Sequence, residues 1–367
     1  MKIVVFGLTI SSSWGNGHAT LWRGLCRSLA RLGHRVVFYE RDVPYYAGAR
    51  DLFEVPGGEL VLYGDWEDVQ TRALRDVAVA DVAIVTSYCP DGLVAGEIVQ
   101  SGARALSVFY DLDTPVTLSR LQRGDPLAYI GPQGLGGFDL VLSYTGGGAL
   151  QELRERLGAQ LVLPLYGHVD PEIHKPAAPV AHYQADLSYL GTFAADRQQA
   201  LESLFMEPAR LMPERRFLMG GAQYPQDFPW SSNVYFVRHL PPSEHPAFYS
   251  SSRLTLNVTR REMAAMGWCP SGRLFEAAAC GTAIISDVWE GIEAFFSPGE
   301  EILTIQNAQD CVQAIELDDA QLRLIGAAAR ECVLARHTSA HRAQQLLAAF
   351  EQASRPLRAP EPALEEA

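Results

Sequence analysis

Arg273 and Glu276 stand three residues apart in the segment RLFEAAACGTAIISD, residues 273–287. At helical spacing two such side chains leave one face together. A guanidinium there offers a planar fork of donors to phosphate oxygens, and a carboxylate can accept both hydroxyls of a ribose. Ala277, Ala278 and Ala279 permit close packing of this helix, Gly281 ends it before the apolar run Ala283 to Ser286, and Gly281 and Thr282 are expected to join Arg273 and Glu276 in holding the phosphate-bearing ligand. Arg253, Arg260 and Arg261 lie upstream, guanidinium groups suited to a diphosphate whose charge grows as it leaves. The plain alternative is an exposed ion pair and scattered solvent-facing arginines.

Gly191 and Thr192 in LGTF, and Gly220 and Gly221 in MGGAQYP, each follow a candidate strand. Glycine there lets backbone amides come close to phosphate, although tight turns without a ligand use the same residues. In the first half, the loop SSSWGNGHAT ends where a helical pattern begins. An imidazole at a helix amino terminus is kept neutral, so His18 is able to accept a proton. Asp111 and Asp113, in FYDLDTP, close a later strand and can orient such an imidazole. A capping loop with an incidental histidine explains these residues without chemistry.

Strand ends must position all of these groups. Ile3 to Phe6 is a β-branched run; Leu21, Leu25, Leu29 and Leu32 recur at helical spacing, with Gly33 placed as a left-handed stop; Arg35 to Glu40 is the next strand. The alternation continues through Val82 to Thr86, Ala105 to Tyr110 and Phe138 to Tyr144, which predicts a parallel α/β sheet with right-handed crossovers. Prolines accumulate over 171–183, an interdomain connection, and a second series follows at Leu187 to Leu190, Arg216 to Met219, Val234 to Val237, Leu254 to Val258 and Ala283 to Ser286. The expected organisation is a first domain at 1–170, a linker at 171–183, a second domain at 184–336, a helix at 337–352 placed to pack back on the first domain, and a disordered acidic tail at 353–367. Open sheets of this kind bind ligands beyond the carboxyl ends of their strands, and two in tandem share a cleft.

A chain of 367 residues, 48% apolar and 20% charged, can bury two cores of this size. Its net charge of −13 excludes a general nucleic-acid or anionic-membrane surface. No run reaches the roughly 18 apolar residues of a transmembrane span, and MKIVVFGL leads straight into a strand, so a cytoplasmic protein is expected. The six cysteines show neither CxxC pairs nor zinc-ligand spacing, so no metal is expected.

The string GRLFEAAACGTAIISDVWEG, with NVTR at 257–260 and HTSAHRA at 337–343, resembles the CgeB-like glycosyltransferases. The opening MKIVVFGLTISSSWGNGHATLWRGLCRSLARLGHRVVFYERDVPYY is similar to a relative of that family with an added amino-terminal sugar-acceptor domain, so the likeness covers roughly residues 1–350. It implies a GT-B fold, two Rossmann-like domains facing each other across a cleft, with the acceptor mostly on the first and the nucleotide sugar mostly on the second. It implies a hexosyltransferase-like reaction from a UDP-, GDP- or dTDP-linked donor to an unknown hydroxyl- or amine-bearing acceptor, without metal and with no cofactor beyond the donor as co-substrate. His18 matches a general base toward the acceptor, and His239, after VYFVR, matches a position that contacts the nucleobase through backbone atoms. Glu276 matches the second glutamate of the E-x7-E pattern of many retaining enzymes, the one that binds ribose; Trp268 stands where the first belongs, which leaves the stereochemical outcome open.

Three other readings compete. A dinucleotide-dependent dehydrogenase would use GNGHAT as its glycine-rich loop, but Thr20 replaces the third glycine and Glu40 is the only other support. A sugar-nucleotide 2-epimerase would hold a nucleoside diphosphate between the same domains. A non-catalytic nucleotide-sugar sensor would keep Glu276 and the arginines without turnover.

Overall fold

A computed structural model describes residues 1–354; the tail RPLRAPEPALEEA lies outside the described residues. The first sheet contains β1 (Lys2–Gly7), β2 (Arg35–Arg41), β3 (Glu59–Tyr63), β4 (Val82–Thr86), β5 (Leu106–Asp111), β6 (Leu140–Ser143) and β7 (Val162–Pro164), in the order β3-β2-β1-β4-β5-β6-β7. The second contains β8 (Ala185–Leu190), β9 (Phe217–Gly221), β10 (Val234–Arg238), β11 (Ser252–Asn257), β12 (Ala283–Asp287) and β13 (Leu303–Ile305), in the order β10-β9-β8-β11-β12-β13. All neighbouring strands pair in parallel. β3, β7 and β13 are additions to the strands read from sequence, and each lies at a sheet edge. An edge strand has one neighbour, so short runs such as VLP and LTI suffice there and carry little pattern of their own.

The central strands of each sheet are buried on both faces, as parallel strands are. Along β1, Val4 and Phe6 enter one core with Val37, Tyr39 and Trp66, while Ile3 and Val5 enter the other with Leu25, Leu29 and Phe38. The helix Gly17–Arg31 lies over that second face, where Trp22 meets Phe38 edge-on at 5.5 Å. Leu32, assigned to its apolar stripe from the spacing, is instead exposed at the helix end, next to Gly33 with φ of +80°.

The strand order reverses direction between β1 and β4, and again between β8 and β11. Loops leaving the carboxyl ends of strands at such switch points diverge and open a crevice. The loop after β1 leads to His18 in the first turn of Gly17–Arg31 and the loop after β4 carries Tyr88; those after β8 and β11 carry Thr192 and Arg260.

The chain passes between the sheets twice, side by side. Val169 donates its N–H to the His337 carbonyl at 3.0 Å, and Ser339 N–H donates to the Val169 carbonyl at 2.8 Å. Beyond this bridge the helix Ser339–Ala353 lies against Gly17–Arg31, adding Ala343, Leu346, Ala349 and Phe350 to the first sheet's core. Arg342 is 2% exposed; its Nε donates to the carbonyls of Tyr166 and Gly167, both at 3.1 Å, and Nη2 meets His337 Nδ1 at 2.8 Å. Trp268, held at φ +49°, fills the space between Gly147 of the first domain and Gly291 of the second.

Candidate active site

Between the sheets lies a cavity of about 330 Å³ lined by both domains. On its first-domain side the loop after β1 is held from below by Glu40. That buried carboxylate accepts from Thr9 Oγ1 at 2.7 Å, Ile10 N at 2.8 Å, Ser11 N at 3.0 Å and Ser11 Oγ at 2.5 Å. Glu40 is therefore a loop anchor, fully engaged by the chain, and gives no support to a dinucleotide ribose site. Asn16 then caps the helix Gly17–Arg31 by accepting from His18 N at 3.1 Å, which brings the imidazole to the cavity.

His18 Nε2 lies 3.9 Å from Asp113 Oδ2, and its Nδ1 is shut off from solvent without a partner. Burial lowers the His18 pKa, with Arg260 acting in the same direction and Asp113 opposing both. Tyr88, at the end of β4 with φ of +66°, donates to the same Asp113 oxygen at 2.8 Å. No motif or spacing marks Tyr88; its strained backbone is visible only in the structure.

Asp111 is corrected from a cleft residue to a support. It is fully buried beneath the loop, where Oδ1 accepts from Asp113 N and from Thr117 Oγ1, each at 3.1 Å, and burial raises its pKa to about 6.

On the second-domain side Ser271 caps the helix Gly272–Ala279, whose first turn faces the cavity. Arg273 donates from Nη1 to Asn257 Oδ1 at 2.8 Å and from Nε to the Leu190 carbonyl, and lies over the Tyr189 ring. It is thus fixed by its own domain and not by an ion pair with Glu276. Glu276, one turn on, also lines the cavity. Burial alone would raise its pKa, but His174, His245 and Arg273 together bring it down to about 2. Gly191, Thr192 and Gly221 line the same wall, and His239 stands at the mouth, its ring 4.3 Å from that of Trp14 across the cleft. Arg260 bridges the domains: Nε donates to Asp196 at 2.7 Å, and Nη1 lies 3.9 Å from Asp113 Oδ2.

Five further expectations are corrected. Arg261 projects to solvent, its side chain 78% exposed. Gly220 lies behind the wall, in strand β9 against Leu190 and Phe248. Gly281 is the φ +77° turn after the helix, packed near Arg330, and Thr282 caps the Tyr249 carbonyl at 2.7 Å. Arg253 likewise serves the opposite end of its strand, bonded to Asp319 at 2.7 Å and to the carbonyls of Ile315 and Leu317. Spacing in sequence brought these residues near Glu276, but a strand or helix end points only one way.

His174 and His245 were missed as site residues because they come from a proline-rich connection and a short helix, neither with periodicity to read. Among the described residues they and Glu276 are the group whose ligand atoms come close enough together to hold a metal ion.

Two facing parallel α/β domains with this cleft are the GT-B fold of glycosyltransferases. Residues 197–348 match the family model described as glycosyl transferase-like. The fold is similar to that of HepE from Anabaena, solved in complex with UDP and glucose (TM-score 0.67, 15% identity, covering 95% of this chain and 99% of that one). It is also similar to sucrose-phosphate synthase from Thermosynechococcus elongatus (0.66, 16%, 96% and 98%) and to a glycosyltransferase from Rickettsia africae (0.64, 12%, 96% and 98%). No curated protein matches the chain in sequence. No helix among the described residues is long and apolar enough to cross a membrane.

Proposed function

We propose that the protein transfers a hexose from a nucleoside-diphosphate donor, with UDP as the first choice, to a hydroxyl-bearing acceptor. The observation that carries this reading is the placing of Arg273 and Glu276 on one helix turn opposite His18 and Asp113 across a single cleft. Glu276, ionised across the working pH range, accepts the ribose hydroxyls. Arg273 and Arg260, with the first turn of Gly272–Ala279, take the diphosphate. HepE, with the same fold, was solved with UDP and with UDP-glucose, which supports UDP as the nucleotide to try first. The CgeB-like resemblance of 273–287 supports the same assignment.

In the reaction the acceptor oxygen bonds to the anomeric carbon as the bond from that carbon to the diphosphate breaks. The acceptor proton passes to His18 Nε2, the ring nitrogen that a substrate can reach, and Asp113 stabilises the imidazolium. The leaving charge grows between the two arginines, so neither a metal ion nor a redox cofactor is required for this chemistry.

Thermal melts with UDP, GDP, dTDP and NADH, followed by hydrolysis assays on the matching sugar nucleotides, test the proposal. UDP should raise the melting temperature of the wild type and not of Glu276→Ala. Stabilisation by NADH alone would overturn it.

A further inference from the structure

The two imidazoles beside Glu276 form an arrangement that donor binding does not require. His174 comes from the connection between the domains, His245 opens the helix His245–Ser250, and Glu276 comes from Gly272–Ala279. His174 Nε2 is 3.4 Å from His245 Nδ1 and 3.9 Å from Glu276 Oε1, while His245 Nδ1 is 3.6 Å from Glu276 Oε2. These separations are long for hydrogen bonds. They approach the edge of about 3.3 Å expected between ligands of a tetrahedral ion with bonds of about 2.0–2.1 Å.

The tautomers point the same way. His245 Nε2 faces the Leu240 carbonyl at 3.3 Å, where it can only donate, so a neutral His245 turns a lone pair at Nδ1 toward the carboxylate. A backbone carbonyl in that role is the usual orienting partner of a metal-bound histidine. His174 Nδ1 has no partner, so nothing in the protein prevents its Nε2 from carrying the second lone pair. With His174 in that tautomer, three electron-pair donors converge on one point. The His174 side chain is fully enclosed, whereas His245 and Glu276 line the cleft, so an ion would enter from the cleft and keep one coordination position open to it.

We propose that His174, His245 and Glu276 bind a divalent transition-metal ion of the zinc class, and that its binding withdraws Glu276 from the ribose hydroxyls and so blocks the donor. The second half rests on the donor reading given above; the first half does not.

Co²⁺ serves as the probe, because a tetrahedral site gives it a visible absorption band. Titrated into the chelator-treated full chain, it should bind with one equivalent, be displaced by Zn²⁺, and lose its band in His174→Ala and in His245→Asn. The second variant, on the cleft side, keeps the test readable if the first does not fold. Saturating Zn²⁺ should weaken UDP binding at least about tenfold in the wild type, and UDP should weaken Zn²⁺ binding by the same factor. In His245→Asn, Zn²⁺ should leave UDP affinity unchanged, which separates the protein site from zinc–nucleotide complexes in solution. UDP binding without Co²⁺ uptake, or Co²⁺ uptake untouched by both variants, overturns the metal site and leaves the donor reading standing. Zn²⁺ bound with UDP affinity unaltered overturns the competition. Metal binding without UDP binding under any condition overturns the donor reading alone.

Discussion

Arg260 of the second domain approaches Asp113 of the first to 3.9 Å across the cleft, while Asp196 holds its other edge at 2.7 Å. One guanidinium thus reaches from the donor wall to the carboxylate beside His18. Arg260→Met should have two separable effects. Loss of charge at the leaving group should cost about 10²–10³ in kcat. Because Arg260 helps burial to lower the His18 pKa, the acidic limb of the pH–rate profile should also move to higher pH. A variant with reduced rate and an unmoved profile would separate Arg260 from His18.

His18→Ala and Asp113→Asn should lose about 10²–10⁴ in turnover while melting close to the wild type. Asp111→Asn should differ from both. The asparagine carbonyl can accept the Asp113 N–H and the Thr117 hydroxyl as Asp111 Oδ1 does, so most activity should survive. Turnover of the three folded proteins with one donor and acceptor pair checks the contrast.

The two-sheet architecture was legible because each central strand is an apolar run bounded by turn residues, as in IVVF and VAIVT. The site was legible only where a residue sits at the end of such a strand or in the first turn of a helix that follows one, as His18, Arg260 and Arg273 do. Asp111 and Asp113 are two apart, which alternation along an extended chain would place on one face; the strand ends at Asp111 and Asp113 already stands at the N-cap of the helix Thr114–Gln122, so this turn leaves one under the loop and the other in the cleft. His174 and His245 come 71 positions apart, from an irregular connection and the start of a short helix, and meet only through tertiary packing. No local pattern encodes that kind of meeting.

Gly147→Ala and Gly291→Ala should each destabilise the protein. A Cβ at Gly147 would stand 2.4 Å from Trp268 Cδ1, one at Gly291 would stand 2.5 Å from Trp268 Cδ2, and both backbones lie at positive φ. Losses of about 1–3 kcal/mol in urea unfolding are expected. Trp268→Glu, which restores an E-x7-E spacing, should lower stability and not raise activity, because position 268 is a wedge between domains.

Acid should weaken the folded state. Burial holds His168 and His337 down to about 3 and His174 to about 4, against 6.5 for a free imidazole. At these three histidines the unfolded chain binds more protons than the folded one between those limits, so their contribution is complete above about pH 6.5 and falls as pH drops below it, while Asp111, raised from 3.8 to about 6, offsets one of the protons between its two values. Each such proton contributes a slope of about 1.4 kcal/mol per pH unit. Glu276, whose pKa falls from 4.5 to about 2, adds a further loss between those values. Urea midpoints measured from pH 8 to pH 4 should decline with more than one proton taken up.

The paired crossings at Val169 and Ser339 bear on how the cleft can open. A single linker would let the domains swing and slide freely, but two adjacent crossings tied by backbone bonds at one bridge would resist both twisting and translation. The motion this would leave is a rocking about the bridge, with Arg342 pinned beside the axis. His18 would swing away from the donor wall on an arc, and each closure would return it to the same place.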